Sequence, residues 1–446
     1  MINSALSGRL DAAVAALRER PISARDKGFG CLAPVSAAEL AARRPGLLDG
    51  AFTMPLLVLR ESALRHNIAA MAGYCAAAGV LLAPHGKTPM APQLMARQLT
   101  AGAWAITAAT IGQVQICRSF GVPRILLANE LTDRAGIAWL ATEMAADTGF
   151  DCYVYVDSVE GVRLLDEVFG AGPAGRRLPV LVELGFPGGR TGCRTLRQAV
   201  AVAEAVAAAG SLRLAGASGY EGGLGENRDP ATLDAVAGFC RDLRRLGDLL
   251  RGTVGGQRGG HPGGHSGGPR GLILSAGGSA YFDVVVSELT AAGAGHRVVL
   301  RSGAYVTHDH GMYAALAPHG PDASGQAPPP PALRPALELW AQVLSRPEPD
   351  LALLCAGRRD VSFDHGLPVP LRIRRGGGTP AEPRGMQITR LDDQHAYLSL
   401  PANAGLAPGD LVGLGISHPC TTFDKWRVIP VADDEDRVVD AVHTFF

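Results

Sequence analysis

The string Leu81-Leu82-Ala83-Pro84-His85-Gly86-Lys87-Thr88-Pro89 leads an apolar run into one amine fenced by Pro84, Gly86 and Pro89. Burying an ammonium is costly unless it is paired or neutralised. Desolvation also lowers an amine's pKa, and a neutral amine can attack an aldehyde to form a Schiff base. A surface lysine just past a strand end fits the same string, so its chemistry depends on what the chain places around it. His85 shares the strand parity of Lys87 and so points to the same side, either as part of that chemistry or as a satisfied strand-end histidine.

Four further constellations carry chemical groups. Val182-Glu183-Leu184-Gly185 runs into a glycine-rich turn around Arg190-Thr191-Gly192, which presents a fixed cation or, alternatively, a solvated loop arginine. Gly219-Tyr220-Glu221-Gly222 repeats that arrangement with a phenol, which by itself reads as a packing residue. Gly277-Gly278-Ser279 and Arg301-Ser302-Gly303-Ala304-Tyr305 follow short apolar runs. Small residues let backbone N–H groups approach a phosphate closely, and a serine hydroxyl adds a donor. Finally, His418-Pro419-Cys420 puts an imidazole and a thiol two residues apart. In an extended segment both point to one face, and the proline biases His418 toward that geometry. Such a pair suits Zn²⁺, although a buried cysteine near an unrelated histidine gives the same pattern.

These groups need elements to hold them. From Pro55 onward, short apolar runs alternate with amphipathic stretches of about a dozen residues, the pattern of parallel βα units. Strands are expected near 55–59, 80–84, 103–107, 124–128, 151–156, 180–184, 212–217, 273–276 and 298–300. That number of units fits a (β/α)8 barrel better than an open sheet, and no G-x-G-x-x-G follows the first strand to mark a dinucleotide fold. In such a barrel the active site lies at the C-terminal ends of the strands, where Lys87, Arg190, Tyr220, Gly277 and Gly303 all fall. The expected organisation is an N-terminal extension (1–50), a barrel (51–316), a proline-rich linker (317–331) and a C-terminal β domain (332–446) that carries the metal site. Within the extension, helices are expected through Leu6–Leu17, ending at Pro21, and over Ala37–Ala42. The Gly-rich tract 252–271, with His261 and His265, reads as a surface loop rather than a metal site.

Lys+Arg and Asp+Glu balance at 42 each, which argues against a nucleic-acid or anionic-membrane partner. No apolar run is long enough to cross a membrane, and the N-terminal residues lack the apolar core of a secretory signal. Eight scattered cysteines fit reduced thiols, so a cytoplasmic protein is expected.

The chain resembles the D-threonine aldolase / D-serine dehydratase group of fold-type III enzymes, which use pyridoxal 5′-phosphate (PLP) on an alanine racemase-like barrel. The resemblance rests on Pro84-His85-Gly86-Lys87-Thr88, Arg190-Thr191-Gly192, Gly219-Tyr220-Glu221-Gly222 and His418-Pro419-Cys420. The strings Gly357–Asp364 and Thr422–Trp426 are similar to bacterial proteins described as amino-acid deaminases or D-serine deaminase-like. It implies that Lys87 carries PLP and serves as a base at Cα, that Arg190 faces the pyridine nitrogen, and that His85 and Tyr220 lie at the cofactor or substrate. It also implies that Gly277, Gly278, Ser279, Gly303 and Tyr305 lie around the phosphate, and that two subunits form a homodimer. In this group H-x-C marks the zinc-dependent dehydratases, and H-x-D marks aldolases that use a harder ion such as Mn²⁺. His418-Pro419-Cys420 therefore points to dehydration of a D-β-hydroxy amino acid such as D-serine. The absence of a histidine shortly after Tyr220 counts against D-threonine aldolase-type cleavage. A racemase and a non-catalytic PLP-binding protein are further alternatives, the latter disfavoured by the second domain.

Overall fold

The computed structural model describes all residues except 1–3, 31–32, 174, 255–270, 292–294 and 319–327. His261 and His265 lie outside the described residues, as does most of the expected linker.

Eight parallel strands form one sheet: Leu81–Leu82, Ile106–Ala108, Arg124–Glu130, Asp151–Val156, Leu178–Leu184, Leu212–Gly219, Ile273–Ala276 and Arg297–Leu300. Each neighbour pair except the first and second lies side by side in the sheet, with Leu81–Leu82 against Arg297–Leu300 at the far end. Three backbone hydrogen bonds then bring the first and second strands together. Trp104 N–H donates to the Leu82 carbonyl (2.7 Å), Thr107 to Pro84 (2.9 Å) and Gly86 to Thr107 (2.7 Å). The sheet thus closes at the turn that carries Lys87. This is the alanine racemase-like barrel expected from the alternating pattern. Helices cover the outside, several with side-chain N-caps, among them Thr110, Asp133, Ser158 and Thr195.

The barrel interior is layered by strand parity. Ala83, Ala105, Leu126, Tyr153, Tyr155, Leu181, Ala215, Ile273 and Val299 make an apolar plug. Two residues further along each of several strands, the same inward parity gives His85, Thr107, Asp157, Glu183, Ser275 and Arg301. The mouth of the barrel is therefore polar above an apolar floor.

The second sheet has nine strands and is mostly antiparallel, built chiefly from residues beyond 336. It differs from the sequence reading at one strand. Leu56–Arg60, expected to open the barrel, pairs antiparallel with Leu337–Glu348 (Leu56 opposite Trp340) and parallel with Val428–Ala432 (Leu59 opposite Val431). All five of its residues are buried. Both sheets accept an apolar run such as Leu56–Leu59, so its composition did not distinguish them. The first 50 residues pack in the same way. Helix Ser4–Arg18 lies on the barrel helix Pro92–Thr100. Helix Ala37–Arg43, with a Ser36/Glu39 capping box, lies on strand Val438–His443. Ile22, Phe29, Val35, Leu40, Leu47 and Phe52 share one core with Leu56, Val58 and Trp340.

Candidate active site

The Lys87 turn is packed tightly. A Cβ on Gly86 would come within 2.9 Å of the Ile106 side chain, and Met90 N–H closes the turn onto the Gly86 carbonyl at 2.9 Å. Lys87 itself is exposed at the mouth, not buried as its apolar flank suggested, and among the described residues it has no carboxylate partner. The His85 Nδ1 faces the Lys87 backbone N–H at 3.4 Å. Burial, followed by the charges of Lys87, Arg301 and Arg190, holds the His85 imidazole well below its ordinary pKa. His85 is thus a neutral ring beside the amine.

Two arginines face the same chamber. Arg190 lies over the Tyr220 ring, its guanidinium carbon 4.3 Å from the centroid. The turn carrying Arg190 is tied down by Gly192 N–H on Asp157 (3.1 Å) and by Arg194, whose guanidinium donates to the carbonyls of Gly189, Arg190, Thr191 and Gly192. Between this turn and Tyr220 lies a pocket of about 220 Å³, with Glu183 at its wall. Arg301 is nearly fully buried, donating to Ser218 Oγ (3.2 Å), Ser275 Oγ (2.7 Å) and the Gly219 carbonyl (2.6 Å), with no carboxylate partner among the described residues. The sequence reading passed over Arg301 as part of a phosphate loop; its isolation at the end of an inward-facing strand was the available signal.

The expected phosphate loops are adjacent but not equally open. Glu221, fully buried, accepts the Gly277 N–H at 3.0 Å and the Gly278 N–H at 2.5 Å, so both glycine donors are already engaged. Ser279 Oγ accepts from Ala304 N–H at 3.2 Å, joining the two loops. At Gly303 a Cβ would stand 2.5 Å from the His85 carbonyl oxygen, so only glycine fits that crossing. The Tyr305 side chain is not at the cofactor chamber as expected: it is 2 % exposed, and its hydroxyl accepts from Gln98 Nε2 at 3.0 Å within the core.

The C-terminal pair reaches the same place. Cys420 Sγ lies 3.2 Å from Thr88 Oγ1, the residue next to Lys87. The segment is not extended, as expected, but turns: Pro419 is helical (φ −65°, ψ −30°) and opens the short helix Cys420–Phe423. Proline's fixed φ suits the start of a helix as well as a strand. His418 Nδ1 lies 2.7 Å from Asp364 Oδ2, and Thr421 donates to the other Asp364 oxygen at 3.0 Å. The His365 ring stands edge-on to His418, with 4.9 Å between centroids. Asp364, His365 and His418 present donor atoms within 4.8 Å of one another. Burial disfavours the His418 imidazolium, but Cys420 and then Asp364 outweigh it and raise its pKa to about 9. Burial likewise opposes the Cys420 thiolate, yet His418, Thr88 and the Lys87 charge pull it below its ordinary value. Without an ion, the imidazole and the thiol each favour the other's charged form. A divalent cation would displace that proton, and Asp364 on Nδ1 leaves Nε2 as the donor. The donor set fits zinc.

Tyr220 joins the two sides. Burial and Glu221 raise its phenol pKa, Arg190 and Arg301 lower it, and Cys420 is close enough to raise it again. Tyr313 was not anticipated. It packs against His418 (6.5 Å between ring centroids) and hydrogen-bonds Ser279. Its signal in the sequence was the dense string His308-Asp309-His310-Gly311-Met312-Tyr313.

A family model described as "Putative serine dehydratase domain" matches residues 336–432, the part that carries Asp364, His418 and Cys420. A 3-hydroxy-D-aspartate aldolase of Paracoccus denitrificans is 28% identical over 327 residues, 73% of this chain and 77% of that protein. A D-threonine aldolase of Arthrobacter sp. is 27% identical over 387 residues, 85% of this chain and 89% of that one. In sequence and fold the chain is similar to the fold-type III family of the D-threonine aldolases and 3-hydroxy-D-aspartate aldolases. Among solved structures, the D-threonine aldolase of Filomicrobium marinum superposes with a TM-score of 0.72 at 24% identity, covering 88% of this chain and 95% of that one. The D-threo-3-hydroxyaspartate dehydratase of Delftia sp. gives 0.68 at 18% identity, covering 90% and 99%. A cysteine-to-alanine mutant of a D-threo-3-hydroxyaspartate dehydratase is described in a metal-free form. The family is PLP-dependent, and the residues present fit that cofactor. Lys87 offers an unpaired amine, Arg190 and Arg301 offer cations free of carboxylates, and Ser279 and Gly303 cross beside them. Among the described residues no helix is long and apolar enough to cross a membrane, and the seven described cysteines are free thiols.

Proposed function

We propose that this protein is a PLP- and zinc-dependent lyase that dehydrates a D-β-hydroxy amino acid, D-serine or a relative, to a 2-oxo acid and ammonia, acting as a cytoplasmic homodimer. The observation that carries this reading is the contact of Cys420 with Thr88, which sets a zinc-type donor pair beside the Lys87 turn. Lys87 would hold PLP, Arg190 would face its ring, and Ser279 and Gly303 would lie at its phosphate. His418 and Cys420 would hold the ion. When bound, PLP supplies an electrophile and an electron sink, and zinc supplies a Lewis acid for a leaving hydroxide.

The residues of the chain do the rest. Lys87 Nζ takes the Cα proton. Neutral His85 stands beside that amine without adding charge, while the Arg190 and Arg301 cations draw the substrate carboxylate into the mouth. Asp364 fixes the His418 ring, and Thr421 fixes Asp364. Loss of the Cα proton and of the β-hydroxyl as water leaves an enamine, which hydrolyses to the oxo acid and ammonia.

A retro-aldol reading is favoured by one observation, that both sequence relatives are aldolases. Against it, a softer thiolate stands where a harder ion would want carboxylate oxygen. Glu221, the carboxylate next to Tyr220, is spent on two backbone N–H groups and is not free to act as a base at the β-hydroxyl. Incubation of purified protein with D-serine, D-threonine and D-threo-3-hydroxyaspartate tests the reading. Oxo acid and ammonia, suppressed by a chelator, are expected; glycine and an aldehyde would establish the aldolase.

A further inference from the structure

The two halves of the site come from distant parts of the chain, so something must set their spacing. Thr88 is placed to do so. It is 1 % exposed, and it follows Lys87 directly in a turn whose backbone is locked by the Gly86–Thr107 and Met90–Gly86 hydrogen bonds. Its Oγ1 lies 3.2 Å from Cys420 Sγ. Among the described residues this is the only hydrogen bond between a His418 or Cys420 side chain and the barrel; His418 is tied instead to Asp364 of the β domain. A metal-bound thiolate carries no proton, so the threonine hydroxyl is then the donor.

We propose that Thr88 is a positioning residue that anchors the metal-binding sulfur of Cys420 to the Lys87 turn, coupling the metal site to the cofactor-bearing lysine. This rests on the reading that Cys420 is a metal ligand. A hydrogen bond to a ligating atom fixes its direction and tunes its donor strength, and losing such a partner weakens metal binding by about 10- to 100-fold. Coupling between two sites is reciprocal, so a change at the metal registers at the lysine.

The test uses PLP-loaded protein and two readouts besides activity: zinc affinity by competition with a chromophoric chelator, and the visible band near ~420 nm. Thr88→Val keeps the shape and removes the hydroxyl; Thr88→Ser keeps the hydroxyl. T88V is expected to bind zinc at least about 10-fold more weakly than wild type, and T88S to recover wild-type affinity, with equal thermal midpoints. Chelation should shift the visible band of wild type and T88S but not of T88V. Equal zinc affinity in wild type and T88V, or an equal band shift in both, overturns the inference while leaving the metal reading intact. A wild-type protein that takes up no zinc overturns the metal reading and this inference with it. Should T88V not fold, T88S decides: affinity at the wild-type level supports the hydroxyl's role, and a 10-fold loss overturns it.

Discussion

The barrel half and the β-domain half of the site are electrically opposite. On the barrel side Lys87, Arg190 and Arg301 are cations with no carboxylate partner among the described residues, in a chain where most arginines are paired. On the β-domain side His418 lies between Cys420 and Asp364, anionic groups that favour a cation and raise the His418 pKa to about 9 in its absence. Arg301 is buried without a carboxylate while Lys87 and Arg190 are exposed beside it, and a fold that leaves these cations facing the His418–Cys420 pair is organised around ligands of opposite sign. One half suits a phosphorylated, anionic cofactor and a carboxylate substrate. The other suits a metal ion.

The largest break in this comparison comes from Lys87→Ala, which removes the reactive cation. Activity should fall by at least about 10²–10⁴-fold with loss of the visible band near ~420 nm, while zinc still binds; spectra and metal analysis of one preparation check both. Cys420→Asp tests the other half by exchanging sulfur for oxygen. It should lower zinc affinity by at least ~100-fold and improve Mn²⁺ relative to Zn²⁺, with PLP retained, as read by metal competition. Asp364→Asn keeps the ligands but loosens the histidine, and zinc affinity should drop ~10–100-fold in the same assay.

The smallest effect concerns the acids at the barrel mouth. Glu130 stands against Glu183 and near Asp157, and burial followed by Glu183 raises its pKa to about 8 from an ordinary 4.5. Between those values the folded chain holds a proton that the unfolded chain has released. Glu130 therefore favours the fold fully below about pH 4.5, and stability declines as pH rises toward 8. Glu130→Gln should remove that slope and raise stability at pH 8 by ~1–2 kcal/mol, because solvent reaches this half-buried group, with no change at pH 4; denaturant melts at both pH values check it.

The barrel half was the more legible in sequence because its signals are local. Each chemical group follows its own strand by a few residues, and strand parity alone carries His85, Glu183 and Arg301 inward. The β-domain half was read only as two ligands. Asp364 lies 54 residues before His418, and nothing in their separate strings shows that two loops will meet. The same holds for Thr88 and Cys420, 332 residues apart. Gly277 and Gly278 were read as phosphate donors because glycines permit close approach. Which acceptor approaches is a tertiary fact, and in this fold it is Glu221.

Strand Leu56–Arg60 has a consequence for how the chain is made. It leaves the ribosome before any barrel strand, yet its neighbours, Leu337–Glu348 and Val428–Ala432, emerge near the end. Throughout barrel synthesis a strand that is apolar but for Arg60 has no sheet to join, and the N-terminal core around Phe29, Leu40 and Phe52 waits with it. Non-local pairing of this kind is slow and exposes a sticky edge in the interim. A nascent chain halted after the barrel should therefore draw chaperones to its first 60 residues, and the same chain released complete should not.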